Sequence, residues 1–252
     1  MQGTLELLNV PYVGSGVLGS ALGMDKEIQK RLLEAADLPI VPYTVVHQSE
    51  WQGIQGQVGA WARNTGYPVF VKPASLGSSV GVGKAHDERE LARAVEHAFQ
   101  FDTKVILEKG YRVREIECAV LGNKAPKASV LGEVRPRHEF YSYEAKYLDP
   151  NGAELLIPAP VAEPLAVRVR ELACQVFRLL QCAGMARVDF FLLEPDTVFV
   201  NEVNTIPGFT SISMYPRLWE ASGIPLPDLV RHLVELAVER YAARHDFVRH
   251  RP

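Results

Sequence analysis

The sequence predicts an α+β fold built from two lobes. Segments with helical and with strand-like periodicity alternate before Gly110, whereas apolar and polar residues alternate with a period of two after it, as in antiparallel strands. The chain of 252 residues is 47% hydrophobic and 23% charged, values typical of a globular protein with a sizeable core. We therefore expect a mixed α/β lobe followed by a second lobe that contains an antiparallel sheet.

The first lobe is predicted to open with a helix over residues 24–37, where Ile28, Leu32 and Ala36 form one apolar stripe. Further segments follow in order: an extended segment to residue 46, a helix over 49–66, a short buried strand over 67–72, a glycine-rich loop over 73–83, a helix over 87–99 and a strand over 104–108. Both strands end in a charged residue.

The second lobe is predicted to contain a longer series of strands. In order along the chain we expect strands over 113–120 and 127–134 joined by a turn, a helix over 163–182, a hairpin over 185–203, a glycine-containing loop and a last helix over 228–244. A polar, tyrosine-rich loop over residues 135–151 is too long to be a simple connection. Loops of this length in compact domains are often functional.

The hairpin carries the most informative polar residues. If its four-residue turn is symmetric, cross-strand partners have numbers that add to 391, so Asp189 faces Glu202 and Arg187 faces Asn204. A period of two then places all four side chains on one face of the sheet. Opposed carboxylates destabilise a sheet unless positive charge lies between them, and the Asp, Glu and Asn oxygens suit Mg²⁺. The alternative is an ordinary solvated sheet face.

The glycine-rich loop favours the metal interpretation. Backbone N–H groups near Ser78 can surround phosphate oxygens, and Lys72 just before the loop adds a point charge for the same phosphates. A cation, a loop and a lysine together describe a site for a nucleoside triphosphate. Taken alone, the loop could equally be an ordinary flexible turn.

Two familiar nucleotide motifs are not supported. Gly83-Lys84 lacks the earlier glycine of a Walker A loop, and Ala85 replaces the Ser or Thr that would bind magnesium. Residues 14–19 match G-x-G-x-x-G literally, but only a short strand over 10–13 is predicted before them. Asp37 lies at a helix end, not at the end of a second strand.

Charge and cysteine content narrow the partners and the compartment. A net charge of -3 gives no reason to expect nucleic acid as the main partner, and no apolar run is long enough for a membrane span. The odd number of cysteines, all in apolar surroundings, fits free thiols in a reducing compartment. The N-terminus lacks the pattern of a secretory signal. We therefore expect a cytoplasmic protein that acts on small molecules.

A series of motifs occurs in order over nearly the whole chain: Pro11-Tyr12-Val13-Gly14-Ser15-Gly16, Met24-Asp25-Lys26, Val71-Lys72-Pro73 with Gly77-Ser78-Ser79-Val80-Gly81-Val82, Glu144-Ala145-Lys146-Tyr147, Arg187-Val188-Asp189, and the segment from Asn201 to Thr210. Through them the chain resembles the ATP-grasp superfamily and, within it, the D-alanine:D-alanine ligases. The resemblance implies an ATP-grasp fold with the nucleotide between two α/β lobes. It divides the chain into a remnant of an N-terminal substrate domain (1–23), a central lobe (24–109) and a C-terminal lobe with the metal and substrate sites (110–252).

The resemblance also implies roles for individual residues. For the nucleotide these are Lys26 and Lys72 at the phosphates, Glu108, Lys109 and Tyr111 at the adenine edge, Glu115 at the ribose, and Lys146 as a further cofactor ligand. Asp189, Glu202 and Asn204 would bind two Mg²⁺ ions, with Mn²⁺ as a substitute, in agreement with the hairpin. For the substrates they are Arg187 and the Gly208 N–H at the oxyanion, Ser213 and the Gly208 loop at the second carboxylate, and a pair of Ser78 and Tyr147 that closes the site.

The implied reaction joins two D-alanines through an acyl phosphate at the expense of ATP, in the synthesis of peptidoglycan precursors. Tyr147 favours D-alanine as the second substrate, because related ligases that use D-lactate commonly have histidine there. A D-alanine:D-lactate or D-alanine:D-serine ligase, and an ATP-binding fragment without full activity, are the alternatives. Relatives carry a further N-terminal domain, so a fragment, a misplaced start codon and a short variant are all open explanations. The resemblance suggests a homodimer.

Overall fold

Two antiparallel sheets form the framework of the computed structural model, which describes residues 1–136, 153–193, 195–210 and 212–245. Their strands are β1 (Tyr43–His47), β2 (Val69–Pro73), β3 (Gly83–Ala85), β4 (Lys104–Lys109), β5 (Arg114–Gly122), β6 (Lys127–Pro136), β7 (Ala153–Leu156), β8 (Gly184–Leu193) and β9 (Thr197–Asn204). The first sheet has the order β1-β4-β2-β3 and the second the order β7-β6-β5-β8-β9. The chain passes from one sheet to the other between Lys109 and Arg114, and the predicted α+β class is confirmed.

The helices within the described residues are α1 (Gln2–Leu7), α2 (Val17–Met24), α3 (Lys26–Ala35), α4 (Trp51–Thr65), α5 (Glu88–Ala98), α6 (Glu163–Leu179), α7 (Met214–Ala221) and α8 (Leu226–His245). Helices α2 and α7 and strands β3 and β7 are absent from the prediction. Each is eight residues or shorter, so too few positions repeat for a period to stand out. None of the helices that the structure describes is long and apolar enough to cross a membrane.

The first sheet packs one face against α4 and α5. Val69 and Val71 of β2 and Val105 and Leu107 of β4 enter this core with no exposed area. The period of two then places Lys72 and Glu108 on the opposite face. The helix side of the sheet holds the lobe together, and the charged side is left for the site. Asp87 caps α5 as a hydrogen-bond acceptor for the Glu90 N–H at 2.8 Å.

The second sheet is covered on both faces, but incompletely on one. Ile116, Val188 and Phe190 face the core under α6, together with the buried Cys118. On the other side α7 and α8 cover one end of the sheet, around Ala119, Leu121, Met185 and Tyr215. The remainder of that face, toward Asp189, carries charged side chains. All three cysteines are free; two of them, Cys118 and Cys182, are buried.

Helix α3 buries a face different from the predicted one. Its buried residues are Glu27, Gln29, Lys30 and Leu33, whereas Ile28 and Leu32 are half-buried and Ala36, just past the helix, is exposed. The stripe prediction is therefore wrong. It assumed that charged residues face water, but the charged face of α3 packs toward the first sheet and finds partners there.

The glycines of residues 14–19 serve packing. Residues 10–13 form no strand, contrary to the prediction, and α2 begins at Val17. A Cβ on Gly19 would lie 2.3 Å from the Gln181 carbonyl oxygen, and one on Gly184 would lie 3.1 Å from the backbone nitrogen of Gly14. The absence of side chains lets α2 approach the turn before β8. This is consistent with the rejection of a dinucleotide motif.

Candidate functional site

Lys72 and Glu108 form an ion pair at the centre of the candidate site. Lys72 Nζ lies 2.5 Å from Glu108 Oε2, and Lys30 Nζ lies 2.9 Å from the other carboxylate oxygen. Glu108 is 2% exposed. Burial by itself would raise its pKa, but the charges of Lys30 and Lys72 outweigh burial and lower the pKa to about 2. Glu108 is therefore ionised and is shared by two ammonium groups.

Lys26 connects the two halves of the site. Asp25 caps α3 by accepting the Ile28 N–H at 3.1 Å, which fixes Lys26 as the first helical residue. Its Nζ donates to the carbonyl oxygen of Leu76 in the glycine-rich loop at 2.6 Å and lies 3.7 Å from Glu202 Oε2. One ammonium group thus contacts both the loop and the hairpin.

The glycine-rich loop has an unusual backbone at its centre. Ser78 and Ser79 have φ of 55° and 60°, in the left-handed region that costs energy for residues with a Cβ, and Gly81 follows at 69°. At Gly81 a Cβ would lie 2.7 Å from the ring of Phe101, so only glycine fits without a shift. Two adjacent strained serines indicate a conformation that the surrounding structure holds in place.

The hairpin brings the predicted residues together. Asp189 pairs with Glu202 and Arg187 with Asn204, which confirms the predicted register at these positions. Nearer the turn, however, Leu193 pairs with Thr197, so the pairing there is one residue out of the predicted register. The register shifts between Asp189 and Phe190. This bulge leaves Asn201 as the extra residue of β9 and restores Glu202 to the face of Asp189.

Arg187 neutralises the carboxylates around it. Its Nε and Nη2 donate to the two oxygens of Asp189 at 2.7 Å each, and its Nε also lies 3.0 Å from Glu117 Oε2. Asn204 Nδ2 donates to Asp189 Oδ2 at 2.9 Å. Burial would lower the pKa of Arg187, but Asp189 and Glu117 together raise it well above its ordinary value. Arg187 therefore stays charged.

The oxygen-bearing side chains of the hairpin are the candidate ligands for a magnesium ion. No group of three or more His, Cys, Asp or Glu side chains with the arrangement of a metal site occurs in the part of the chain that the structure describes. Asp189, Glu202 and Asn204 supply two carboxylates and an amide on one sheet face. Mg²⁺ is commonly held by one or two carboxylates together with substrate phosphates, and Lys26 lies beside Glu202 on the phosphate side. These side chains supply oxygen atoms of the kind that Mg²⁺ takes together with a phosphorylated substrate, and both oxygens of Asp189 already accept hydrogen bonds from Arg187.

The segment from Glu108 to Tyr111 is already hydrogen-bonded within the protein. Lys109 Nζ donates to the carbonyl oxygens of Thr65 and Gly66 at 2.7 and 2.8 Å, and the Lys109 N–H donates to Pro42 O. Tyr111 stacks on Phe199 with ring centroids 5.8 Å apart. The side chains of Glu108 and Lys109 thus have partners within the protein, and the stacked rings of Tyr111 and Phe199 follow them.

Glu115 and the substrate-side residues complete the set. Glu115 pairs with Phe191 on β8. Burial would lower the pKa of Lys72, but Glu108, and after it Glu202 and Glu115, raise it. In the loop after β9, Ser213 Oγ accepts the Thr210 N–H at 3.0 Å, and a Cβ on Gly208 would lie 2.9 Å from the same Oγ. Only glycine at 208 therefore leaves this serine unobstructed. Lys146 and Tyr147 lie outside the described residues.

Sequence reasoning missed Lys30 and Glu117. Lys30 stands four residues after Lys26, on the same helical face, and Glu117 stands two residues after Glu115, on the same strand face. Those spacings are the signals that could have found them. Both were masked by the expectation that single charged residues face solvent.

Comparison with known proteins identifies the family. Residues 32–235 match the family model described as D-ala D-ala ligase C-terminus. The chain belongs to the D-alanine–D-alanine ligase family. A D-alanine–D-alanine ligase of Shouchella clausii is 51% identical over 241 residues, which are 96% of this chain and 65% of the relative. The chain thus spans about two thirds of the length of this curated relative.

Solved structures of the ligase family have the same fold. The D-alanine–D-alanine ligase from Coxiella burnetii matches with a TM-score of 0.84 at 40% identity, covering 97% of this chain and 65% of that one. The VanG D-Ala:D-Ser ligase from Enterococcus faecalis matches with a TM-score of 0.85 at 33% identity, covering 94% and 68%. The ATP-grasp fold expected from the sequence is confirmed.

Proposed function

We propose that this chain carries the ATP-binding and phosphoryl-transfer part of a ligase that joins two D-alanines. The observation that carries the proposal is the contact of Lys26 with both the glycine-rich loop and Glu202, since it brings phosphate-binding and metal-binding groups to one place. The named activity of the 51% identical relative supports the choice of substrate. In this proposal the reaction serves peptidoglycan precursor synthesis in the cytoplasm.

The nucleotide would lie between the two sheets. Lys26 and Lys72 would bind the phosphates, and the backbone after Glu108, together with Tyr111, would border the adenine. Glu115, beside Phe191, would accept the ribose hydroxyls. Asp189, Glu202 and Asn204 would hold Mg²⁺, as two ions and with Mn²⁺ as a substitute, and bound metal would neutralise charge on the phosphoryl oxygens.

The reaction would proceed in two steps. A carboxylate oxygen of the first D-alanine forms a bond to the γ-phosphorus, the bond from that phosphorus to the ADP oxygen breaks, and ADP leaves. The amine of the second D-alanine then attacks the acyl carbon, loses a proton, and inorganic phosphate leaves. Arg187 and the Gly208 N–H would stabilise the oxyanion of this second step. Ser213 would hold the carboxylate of the second substrate.

The Ser78 loop would exclude water from the acyl phosphate, which hydrolysis would otherwise destroy. Lys146 and Tyr147 are assigned to nucleotide binding and to loop closure on the sequence resemblance alone.

Replacement of Tyr147 by Phe should raise ATP hydrolysis that yields no dipeptide, and an unchanged ratio of phosphate to dipeptide would contradict the closure role.

The test is a coupled assay of phosphate release with mass-spectrometric detection of dipeptide. We expect phosphate and D-Ala-D-Ala to form only when D-alanine, ATP and Mg²⁺ are all present. Release of phosphate without dipeptide under these conditions would overturn the ligase assignment. Nucleotide affinity without turnover, with turnover restored by adding the N-terminal third of a relative, would identify an ATP-binding fragment instead.

A second candidate is ligation of D-alanine to D-serine. The match to the VanG D-Ala:D-Ser ligase, with a TM-score of 0.85, is the observation that favours it. An assay with equal concentrations of D-alanine, D-serine and D-lactate as acceptors separates the candidates, because the products differ in mass.

Sedimentation of the purified chain with and without ATP tests the proposed homodimer.

A further inference from the structure

Lys30 is a fully buried charge for which the proposed function has no role. It lies on α3, is 1% exposed, and is among the largest fully buried side chains of the described residues. Its Nζ lies 2.9 Å from Glu108 Oε1 and 5.8 Å from the centre of the Tyr43 ring. Burial lowers the pKa of Lys30 and the charge of Glu108 opposes this, so the ammonium group is costly to keep here even though it is paired. Its position therefore calls for a physical reason.

The reason lies in the charge balance around Glu108. Lys72 occupies the second carboxylate oxygen at 2.5 Å, so two ammonium groups share one carboxylate in a nearly closed space. Within these three residues the net charge is positive by one unit. Lys30 is on the side away from solvent, with a side-chain exposure of 1%, while Lys72 is 15% exposed and faces the candidate site.

Glu202 and Glu115 also act on the charge of Lys72, so without Lys30 the pair of Lys72 and Glu108 would have no net positive charge to set against them. Lys72 and Glu108 would then form a closed, neutral ion pair, and a phosphate approaching Lys72 would meet the opposing field of the carboxylate. With Lys30 in place, the charge of Glu108 is largely balanced by an ammonium group on the side of the carboxylate that faces away from the site. The charge of Lys72 is then available for a ligand.

We propose that Lys30 is a positioning residue for the nucleotide phosphates, which acts through Glu108 to leave Lys72 with an unbalanced positive charge directed into the site. The inference rests on the proposed nucleotide site and adds a residue to it. In this arrangement Glu108 is the group that holds Lys72 in position, through their contact at 2.5 Å. Lys30 touches no substrate in this arrangement.

The test compares ligands that differ only in phosphate number. Binding of adenosine, AMP and ADP is measured calorimetrically without Mg²⁺ for the wild-type chain and for Lys30→Met, which keeps the length and loses the charge. We expect ADP affinity to fall on the order of tenfold, AMP affinity to fall less, and adenosine affinity to change by less than about twofold, because only phosphates respond to the lost charge. Lys30→Arg should restore most of the ADP affinity.

A double variant separates this role from a structural one. In Lys30→Met with Glu108→Gln the carboxylate that neutralises Lys72 is gone as well, so ADP should bind more tightly than to Lys30→Met alone. If Lys30 only ties α3 to the sheet, the double variant should bind as weakly or more weakly. Far-UV circular dichroism and melting temperature show whether each variant is folded. If Lys30→Met is not, the double variant is compared with the wild-type chain, whose net charge at these three positions it shares, and it should bind ADP with similar affinity, whereas a purely structural role of Lys30 predicts a clear loss.

Three outcomes would overturn the inference: an equal loss for all three ligands, no loss for ADP, or no gain in the double variant. If the wild-type chain binds neither adenosine nor ADP, the proposed nucleotide site itself fails. If the wild-type chain binds both and Lys30→Met binds them equally well, only the role of Lys30 fails.

Discussion

At the scale of single residues, Arg187 changes how the opposed carboxylates are understood. Asp189 and Glu202 face each other across the hairpin, and the sequence suggested that only a cation could make this tolerable. Arg187 already supplies positive charge to Asp189 and Glu117. The carboxylate pair alone therefore does not require a metal. The stronger argument is the position of Glu202, whose carboxylate lies 3.7 Å from the Lys26 ammonium that also contacts the glycine-rich loop.

Glu202 is accordingly the residue at which the metal assignment can be tested most directly. We expect Glu202→Gln to lower Mg²⁺-dependent ATP turnover on the order of 100-fold or more, because an amide replaces a charged metal ligand. The melting temperature should stay within a few degrees of the wild-type value, since this side chain is only half-buried. Mn²⁺ binding in the presence of ADP, followed by electron paramagnetic resonance, gives a readout independent of activity.

The exposed Glu235 on α8 supplies the control for this experiment, as Glu235→Gln. It should leave both turnover and Mn²⁺ binding unchanged. Wild-type turnover or wild-type Mn²⁺ affinity in Glu202→Gln would remove Glu202 from the metal site.

Glu108 gives a prediction for stability against pH. Its pKa in the folded chain, about 2, lies below the ordinary 4.5, so ionised Glu108 stabilises the fold above pH 4.5, and this stabilisation is lost as the pH falls toward 2. The loss amounts to at most about 3 kcal/mol. In urea unfolding at pH 7, 5, 4 and 3, the stability gap between the wild-type chain and Glu108→Gln should narrow as the pH falls. A constant gap would mean that Glu108 is not held ionised by Lys30 and Lys72.

At the scale of elements, the hairpin shows what can and cannot be predicted. The pairing of Asp189 with Glu202 and of Arg187 with Asn204 was predicted from a symmetric four-residue turn, and it is confirmed. The predicted turn itself is wrong, because Leu193 pairs with Thr197 and a bulge follows. A three-residue connection followed by a bulge leaves the same residues in register as a four-residue turn without one, so the two differences cancel at the site. The pairing of β8 with β9 could therefore be predicted at the site, but not next to the turn.

Helix α2 supports a prediction about the glycines of residues 14–19. Gly19→Ala would place a Cβ 2.3 Å from the Gln181 carbonyl oxygen, so we expect a loss of about 2 kcal/mol or more in the free energy of unfolding. ADP affinity of the folded fraction should stay within about twofold of wild type if the motif serves packing only. A dinucleotide-type role would instead weaken ADP binding strongly.

Helix α4 offers a matched control for this substitution. Gly56 is exposed, and no atom lies within 4 Å of a Cβ placed on it. Gly56→Ala should raise stability by about 0.5–1 kcal/mol through helix propensity. Equal effects of the two substitutions would contradict the close approach at Gly19.

At the scale of the whole molecule, the site depends on α3 bridging the two sheets. The sequence showed two lobes because the periodicity changes after Gly110, and it identified charged residues in each. It did not show how the lobes meet, because α3 makes this contact partly through buried polar side chains, beside the apolar Leu33. Lys30 and Glu27 pair with the first sheet, and Gln29 bonds to β9. The spacing of hydrophobic residues cannot reveal a buried helix face that consists mainly of polar side chains.

The bridging role of α3 can be tested at Gln29. This residue is 3% exposed; its Oε1 accepts the Val203 N–H at 3.0 Å and its Nε2 donates to Gly23 O at 2.6 Å. Gln29→Met keeps the shape and removes both bonds, which should cost about 1–3 kcal/mol for each backbone group left unsatisfied. Because Val203 adjoins Glu202, the distance between Glu202 and the Lys26 ammonium should become less well defined. We therefore expect the affinity for MgADP to fall more than the affinity for ADP alone.

Calorimetric titration of both ligands, with and without Mg²⁺, measures this difference, and Gln55→Met on the exposed face of α4 is the control. The reasoning is that ADP alone needs the lysines of α3 and β2, whereas MgADP also needs β9 in register with them. Equal weakening of both ligands would indicate that Gln29 supports only the stability of α3. A selective loss of MgADP binding would mean that the register between α3 and β9, fixed by one buried amide, is what assembles phosphate and metal ligands into a single site.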